Sequence, residues 1–551
     1  LKCAELFLKA LEAEGVTTIF GVPGEENADL MIALLDSPIE FVVCRHEQAA
    51  AFMADMYGRM TGEPGVCLAT LGPGATNLVT GVASANMDNS PLVAIIGQAS
   101  TKRLHKQSHQ NMDSISLFKP VTKWACTIRD PDNVPEVIHK AFRLSRGERP
   151  GATLIELPED IAKMDTDAQI IGVKIRRSRA GVDPDRVDEA LEMLAEAGFP
   201  ILLIGDACVR HKVGDKLVEF VEQTGIYGAC TFMGKGALPA NHPRSLYCVG
   251  LGSKDVVLDA FAHADLVIAV GYDMVEWHPD RWNIGREKKI IHIDTKPPEL
   301  DALYNVDVEI VGDISAALTT LNQHCCPVQR NRSGSYEAHV GEMRATMTAE
   351  LHRHDADDGF PLKPQRILSD LRGAMADEDI LVTDVGAHKM WVARHYPTYR
   401  EGTCFITNGF CSMGFALPAA ISAKRLVPER NVVALCGDGG FMMNVQDLIT
   451  AVRYSAPITV VLWVDGQYGL IKWKQEVAFG VHSNIDLLNP DFIALAESFG
   501  CQALKVEKAS DFKVALEKGF AEQSRPTVIV VPVDYGENMK LTKRLGEIIS
   551  H

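Results

Sequence analysis

The sequence predicts an α/β protein built from three doubly wound parallel-sheet domains. Three observations lead there. β-Branched runs ("FVVCR", "PLVAIIG", "PILLIGD", "DLVIAVG", "ILVTD", "VVALCG", "ITVVLWV") alternate with helical segments along the whole chain, the pattern of strands covered by helices on both faces. These alternations fall into blocks at 1–165, 183–325 and 360–535, separated by a short connection at 166–182 and a polar, partly helical one at 327–358. Finally, one unit occurs twice. "GVCLATLGPGATNLVTGVASANMDNSPLVAIIGQ" and "NVVALCGDGGFMMNVQDLITAVRYSAPITVVLWVDGQ" both read strand, glycine turn, helix, proline, strand, with Gly72 and Gly437 365 positions apart and Pro91 and Pro457 366 apart. Ligands of open α/β sheets sit at the carboxyl ends of strands, so two such units facing each other could grip one extended ligand at both ends.

Composition narrows the function classes. The 551 residues are 46% hydrophobic and 23% charged, with a net charge of −17. That balance suits a globular protein with ample core and excludes nucleic acid or an anionic membrane as the main partner. Thirteen cysteines are scattered without CxxC pairs, several inside apolar runs. Small buried thiols in a reducing, cytoplasmic setting are therefore expected. No apolar run approaches the ~20 residues of a membrane span, and no signal-peptide pattern precedes the first block.

In "LCGDGGFMM" an apolar strand ends in Asp438, a carboxylate held between glycines. Glycine turns that open helices favour phosphate, which an anionic side chain repels unless a cation lies between them. A second carboxylate, Asp465, ends the strand "ITVVLWV". Adjacent parallel strands would bring both to one sheet edge, and hard oxygen donors shared with phosphate suit Mg²⁺. An alternative role for Asp438 is capping the next helix. Similarly, Glu47 in "FVVCRHEQAAAFMADMYGRMTG" follows a strand and opens a helix, where a carboxylate is favoured by the helix dipole alone.

These segments resemble the thiamine-diphosphate (ThDP) enzyme family. "GDGGFMMNVQDLITAVRYSAPITVVLWVDGQYG" is similar to its cofactor motif, with Asp465 standing where most members have Asn. The resemblance implies that the three domains bind pyrimidine, bridge, and bind diphosphate. It implies Asp438, Asp465 and the main-chain oxygen of Gln467 as metal ligands, and contacts to ThDP from Gly437, Gly439, Gly440, Tyr468 and Gly469. "TDVGAHKMW" implies diphosphate contacts from Gly386, Ala387 and His388; "LGPGATN" implies pyrimidine contacts from Gly72, Pro73 and Asn77; Met413 matches the residue over which ThDP bends. Glu47 matches the carboxyl group that activates the aminopyrimidine, and Gln110 the residue that reaches toward the substrate. Because relatives pair the two similar halves across subunits, a homodimer or homotetramer with its active site at the subunit interface is implied.

Within the family, "SHQNMDSISLFKPVTKW", "IIHIDTKPPELDALYNVDVEIVGDI" and "VPVDYGENMKL" resemble the catabolic, FAD-independent acetolactate synthases. The segment "GYDMVEWHPDRWN" lacks the R-F-D-D-R-like stretch of the FAD-bound type, so FAD is not expected. The implied reaction is decarboxylation of pyruvate and transfer of the two-carbon fragment to a second 2-oxo acid, giving 2-acetolactate. Another ThDP-dependent decarboxylase or a pyruvate oxidase is the alternative, since "GQYGLIKWKQE" is close to the oxidase version. His109, Phe118 and Lys474 are candidate substrate-facing residues; Lys474 stands where catabolic synthases carry Gln. The G-x-G-x-x-G fingerprint of a dinucleotide site follows none of these strands.

Overall fold

A computed structural model describes residues 1–172, 180–325 and 334–546. Most of the two connections flanking the middle block lies within these limits, but 173–179 and 326–333 fall outside the described residues.

Three six-stranded sheets form, and all their strand pairs are parallel. In the first, β1 (Thr18–Gly21), β2 (Glu40–Val43), β3 (Gly65–Ala69), β4 (Leu92–Gln98), β5 (Trp124–Thr127) and β6 (Ala152–Pro158) lie in the order β2-β1-β3-β4-β6-β5. The middle sheet contains β7 (Pro200–Ile204), β8 (Tyr227–Cys230), β9 (Ser245–Cys248), β10 (Leu266–Val270), β11 (Lys289–Asp294) and β12 (Val308–Val311), ordered β12-β11-β10-β7-β8-β9. The third has β13 (Ile380–Thr383), β14 (Cys404–Ile406), β15 (Val432–Gly437), β16 (Thr459–Val464), β17 (Gln502–Lys505) and β18 (Thr527–Pro532) in the order β14-β13-β15-β16-β18-β17. Strand for strand, the first and third orders are the same. The central strands β3, β4, β15 and β16 are buried almost throughout, as parallel strands covered on both faces must be.

One hydrophobic core runs through both of these sheets. It takes in the helix Glu47–Thr61 from the first domain and the helix Ala416–Leu426 from the third. The two helices bring alanines 50, 51 and 54 and alanines 416, 419, 420 and 423 into this core, and small side chains let helix axes approach closely. Phe52 meets Phe415 edge to face at 5.5 Å. Polar ties reinforce the contact: Val43 N–H donates to Tyr454 Oη at 2.8 Å and Arg45 N–H to Asp447 Oδ1 at 2.9 Å. Arg59, nearly fully buried, binds Asp55 at 2.8 Å and Asp88 at 2.7 Å, and Asp88 also accepts from Thr407 Oγ1 and the Gly409 N–H. The middle sheet instead packs mainly against its own helices.

Among the described residues every cysteine is free, and no helix is long and apolar enough to cross a membrane.

Candidate cofactor and metal site

The third sheet presents its charged residues at the carboxyl ends of neighbouring strands. β15 and β16 pair in register from Val433–Thr459 to Gly437–Trp463, so Asp438 and Asp465 emerge side by side, as their positions one residue past each strand require. Asp438 is 1% exposed. Its Oδ1 accepts the Gly439 N–H at 2.9 Å, and its Oδ2 accepts the Gly466 N–H at 2.8 Å and Asn489 Nδ2 at 2.7 Å. Burial and the neighbouring Asp438 push the Asp465 carboxyl up to about 7. Two carboxylates crowd this corner near Lys472, and their hard oxygens suit a divalent ion. Donor chemistry and charge therefore both fit Mg²⁺.

The turn that follows is stapled to the loop beyond it. Gln467 Nε2 donates to Asp486 Oδ1 at 2.8 Å, and the Tyr468 N–H donates to Ile485 O at 2.9 Å. Gly439 is needed here because a Cβ would meet the Tyr468 ring at 2.8 Å. Gly469 opens the helix Gly469–Phe479, and a Cβ there would lie 3.0 Å from Asp465 Oδ2. A cavity of about 480 Å³ opens beside this turn, walled by Asp465, Gln467, Lys472, Trp473 and Tyr535.

Next to β15, the end of β13 turns at Gly386 into the helix Ala387–His395. His388 is buried, its Nε2 has no hydrogen-bond partner, and burial lowers its pKa to about 3. Its ring would lie 2.6 Å from a Cβ at Gly386 and 3.1 Å from one at Gly437. A neutral imidazole with an orphaned nitrogen, packed between two glycines, is a fitting wall for a polar ligand. Asp384 clamps this region. Its carboxylate takes the Val385 N–H at 2.6 Å and the Gly414 N–H at 2.9 Å, fixing the segment that carries Met413, and it packs 3.1 Å from where a Gly440 Cβ would stand.

The first sheet carries a sparser set. Glu47, 9% exposed, is the first residue of its helix, and Oε2 accepts Asn77 Nδ2 at 2.9 Å. Asn77 lies on the helix Pro73–Met87, opened by Gly72 at φ +54°. A Cβ at Gly72 would sit 2.9 Å from Gln110 O, so the turn and the Gln110 segment are in contact. Gly72, Pro73, Asn77, Glu47 and Gln110 thus form one group. Among the described residues, no hydrogen bond or ion pair joins Glu47, Asn77 or Gln110 to the set around Asp438, Asp465 and His388.

The three substrate candidates are scattered. His109 is exposed beside Gln110. Phe118 is fully buried in the core shared by the two sheets. Lys474 is exposed and absent from the cavity wall, where Lys472 stands instead, its Nζ donating to Gln467 Oε1 at 2.8 Å. Sequence reasoning also passed over Asp384, Asn489 and Lys389. The last is 3% exposed, with Nζ on Asn408 Oδ1 at 2.7 Å and 3.0 Å from Cys411 Sγ. Asp384 had a legible signal, since it ends a strand as Asp438 does; the other two had none.

Comparison with known proteins agrees with this geometry. Residues 1–117 match the thiamine pyrophosphate enzyme N-terminal TPP binding domain, 187–321 the central domain, and 384–531 the C-terminal TPP binding domain. The chain is 32% identical over 562 residues to an acetolactate synthase of Bacillus subtilis, covering 99% of this chain and 96% of that one. It is 35% identical over 548 residues to the catabolic acetolactate synthase of Raoultella terrigena, covering 98% and 97%. A probable acetolactate synthase large subunit of Methanocaldococcus jannaschii is 33% identical over 565 residues, covering 100% and 94%. A shared three-domain order, relatives matched along their full length and carboxylates at the ends of two like sheets make this chain a member of the thiamine pyrophosphate enzyme family, on its acetolactate synthase branch.

Proposed function

We propose that this chain is a ThDP- and Mg²⁺-dependent carboligase that decarboxylates pyruvate and joins the two-carbon fragment to a second pyruvate, giving 2-acetolactate. The observation that carries the reading is the paired carboxylates Asp438 and Asp465 on one sheet, with Glu47 at the matching end of a sheet of the same strand order. When bound, ThDP supplies the electron sink for losing CO₂.

The residues of the chain do the rest. Asp438 and Asp465, with the main-chain oxygen of Gln467, would hold the metal. Gly437, Gly439, Gly440, Tyr468, Gly469, Gly386, Ala387 and His388 would line the diphosphate, His388 as a neutral imidazole. Met413 is presented by a segment that Asp384 pins through Gly414. Glu47, oriented by Asn77, would hold a proton at its carboxyl group toward the aminopyrimidine ring, and Gln110 would reach the substrate. The like strand order of the first and third sheets supports a homodimer, alone or paired into a tetramer, whose sites are completed between subunits. No flavin is part of this reading.

The experiment is product analysis. Purified protein with Mg²⁺, ThDP and pyruvate should yield acetolactate by NMR with no flavin absorbance. Acetaldehyde, or an acetyl product with peroxide, would replace this reading with the decarboxylase or oxidase alternative.

A further inference from the structure

On the outside of the middle domain, far in the fold from the strand ends described above, three metal-ligating side chains converge. The helix Val256–His263 carries Asp259 and His263 one turn apart, which places both on one face. The helix Gly334–His352, which leads from the middle domain toward the third, packs across it and adds His339. One donor atom from each of the three lies within 4.8 Å of the other two. His339 Nε2 is 3.1 Å from Asp259 Oδ2, His263 Nδ1 is 3.4 Å from Asp259 Oδ1, and the two imidazole rings are 4.5 Å apart. Bonds of ~2.0–2.2 Å at tetrahedral angles set neighbouring donors about 3.3 Å apart, so the closest pair already stands at ligand spacing.

The surroundings favour the same interpretation. His263 Nδ1 lies 2.8 Å from the Asp259 carbonyl oxygen. This contact holds the imidazole against its own helix, with Nδ1, the nitrogen that faces the Asp259 carboxylate, turned toward the cluster. Phe199 packs against both imidazoles, at 5.9 Å from His263 and 6.0 Å from His339, which limits the turning of either ring. The three side chains are 49, 50 and 36% exposed for Asp259, His263 and His339, so an ion has a way in and water a place at the fourth position.

We propose that Asp259, His263 and His339 form a structural Zn²⁺ site with water as the fourth ligand. Two imidazoles and one carboxylate are a borderline donor set that selects zinc over the magnesium of the cofactor site. A bound ion fastens the 334–352 helix to the middle domain, so its effect falls on stability and not on turnover.

The test uses the holoprotein in excess Mg²⁺ and ThDP, titrated with ZnCl₂ by calorimetry and with CoCl₂ while visible spectra are recorded. The expected result is one additional Zn²⁺ per chain at about micromolar Kd, tetrahedral Co²⁺ bands without thiolate charge transfer, and a melting temperature raised by zinc. In a His263→Gln/His339→Gln variant, affinity should fall about 100-fold or more and the zinc-dependent stabilisation should vanish, while ThDP-supported turnover is unchanged. No zinc bound beyond what Mg²⁺ displaces, or equal binding by the variant, overturns the site.

Discussion

The first and third sheets share a strand order yet carry opposite chemistry at the same address. At the strand ends of the third sheet stand the buried Asp438, the half-buried Asp465, a neutral histidine and a run of glycines. The equivalent edge of the first sheet offers Glu47 with Asn77, Glu26 on Thr70, and a left-handed glycine turn. A common scaffold thus fixes where a ligand is met, and the few residues beyond each strand decide whether that end meets a charge or a ring. The third sheet is built to neutralise an anion through a cation, and the first to handle a single proton.

The sharpest way to break this comparison is Glu47→Gln. It removes the carboxyl group that opens the 47–61 helix and should lower kcat by about 10²–10⁴, with folding intact, as read from pyruvate consumption and circular dichroism. Activity within tenfold of the parent would deny that edge its proton-handling role.

Arg59→Met tests the junction between the sheets. It strands Asp55 and Asp88 without their cation, at a cost of about 3–5 kcal/mol, measurable by chemical denaturation. A loss below about 1 kcal/mol would mean that the shared apolar core alone joins the two halves.

A pH series on metal-free protein examines the third sheet directly. Because the folded-state pKa of Asp465 is raised to about 7, the native state binds more protons than the unfolded chain between the ordinary carboxylate range and neutrality. The stability this group contributes is present below that range and is lost as pH rises through about 7. The metal-free protein should therefore melt lower at pH 8 than at pH 5.5. Asp465→Asn should flatten this trend, and an unchanged slope would assign it elsewhere.

The mildest effect separates two lysines. Lys472→Ala should raise the Mg²⁺ concentration for half-activation about two- to tenfold by releasing Gln467, and Lys474→Ala should leave it unchanged. The reverse result would return Lys474 to the site.

What the sequence disclosed is what short-range order controls. β15 and β16 were legible as apolar runs, and a residue one position past a strand has little freedom to be anywhere but the sheet edge, so Asp438 and Asp465 could be located in advance; Glu47, four residues past β2, was placed by the helix it opens. Two residues apart on a helix are about 200° apart, so Lys472 turns to Gln467 while Lys474 turns to the outside of the single chain. Phe118 lies in the core shared by the two sheets, and hydrophobicity alone does not tell a pocket wall from a core. Asn489 reaches Asp438 from 51 positions away and His339 reaches Asp259 from 80, contacts that only the closed fold creates.

The core that runs unbroken through the first and third sheets also sets how the chain can be cut. An excised 1–165 fragment would bare the alanine-rich face of the 47–61 helix to water and invite aggregation. The middle block has cores of its own, yet the buried Arg394–Asp255 pair, Lys235 on the Ala393 and Tyr396 carbonyls, and Phe232, Cys248 and Leu251 in a shared core tie it to the third domain, so cutting it out would expose these groups as well. A gene assembled by doubling one α/β unit and seating a separate module between the copies would leave this partition of hydrophobic surface.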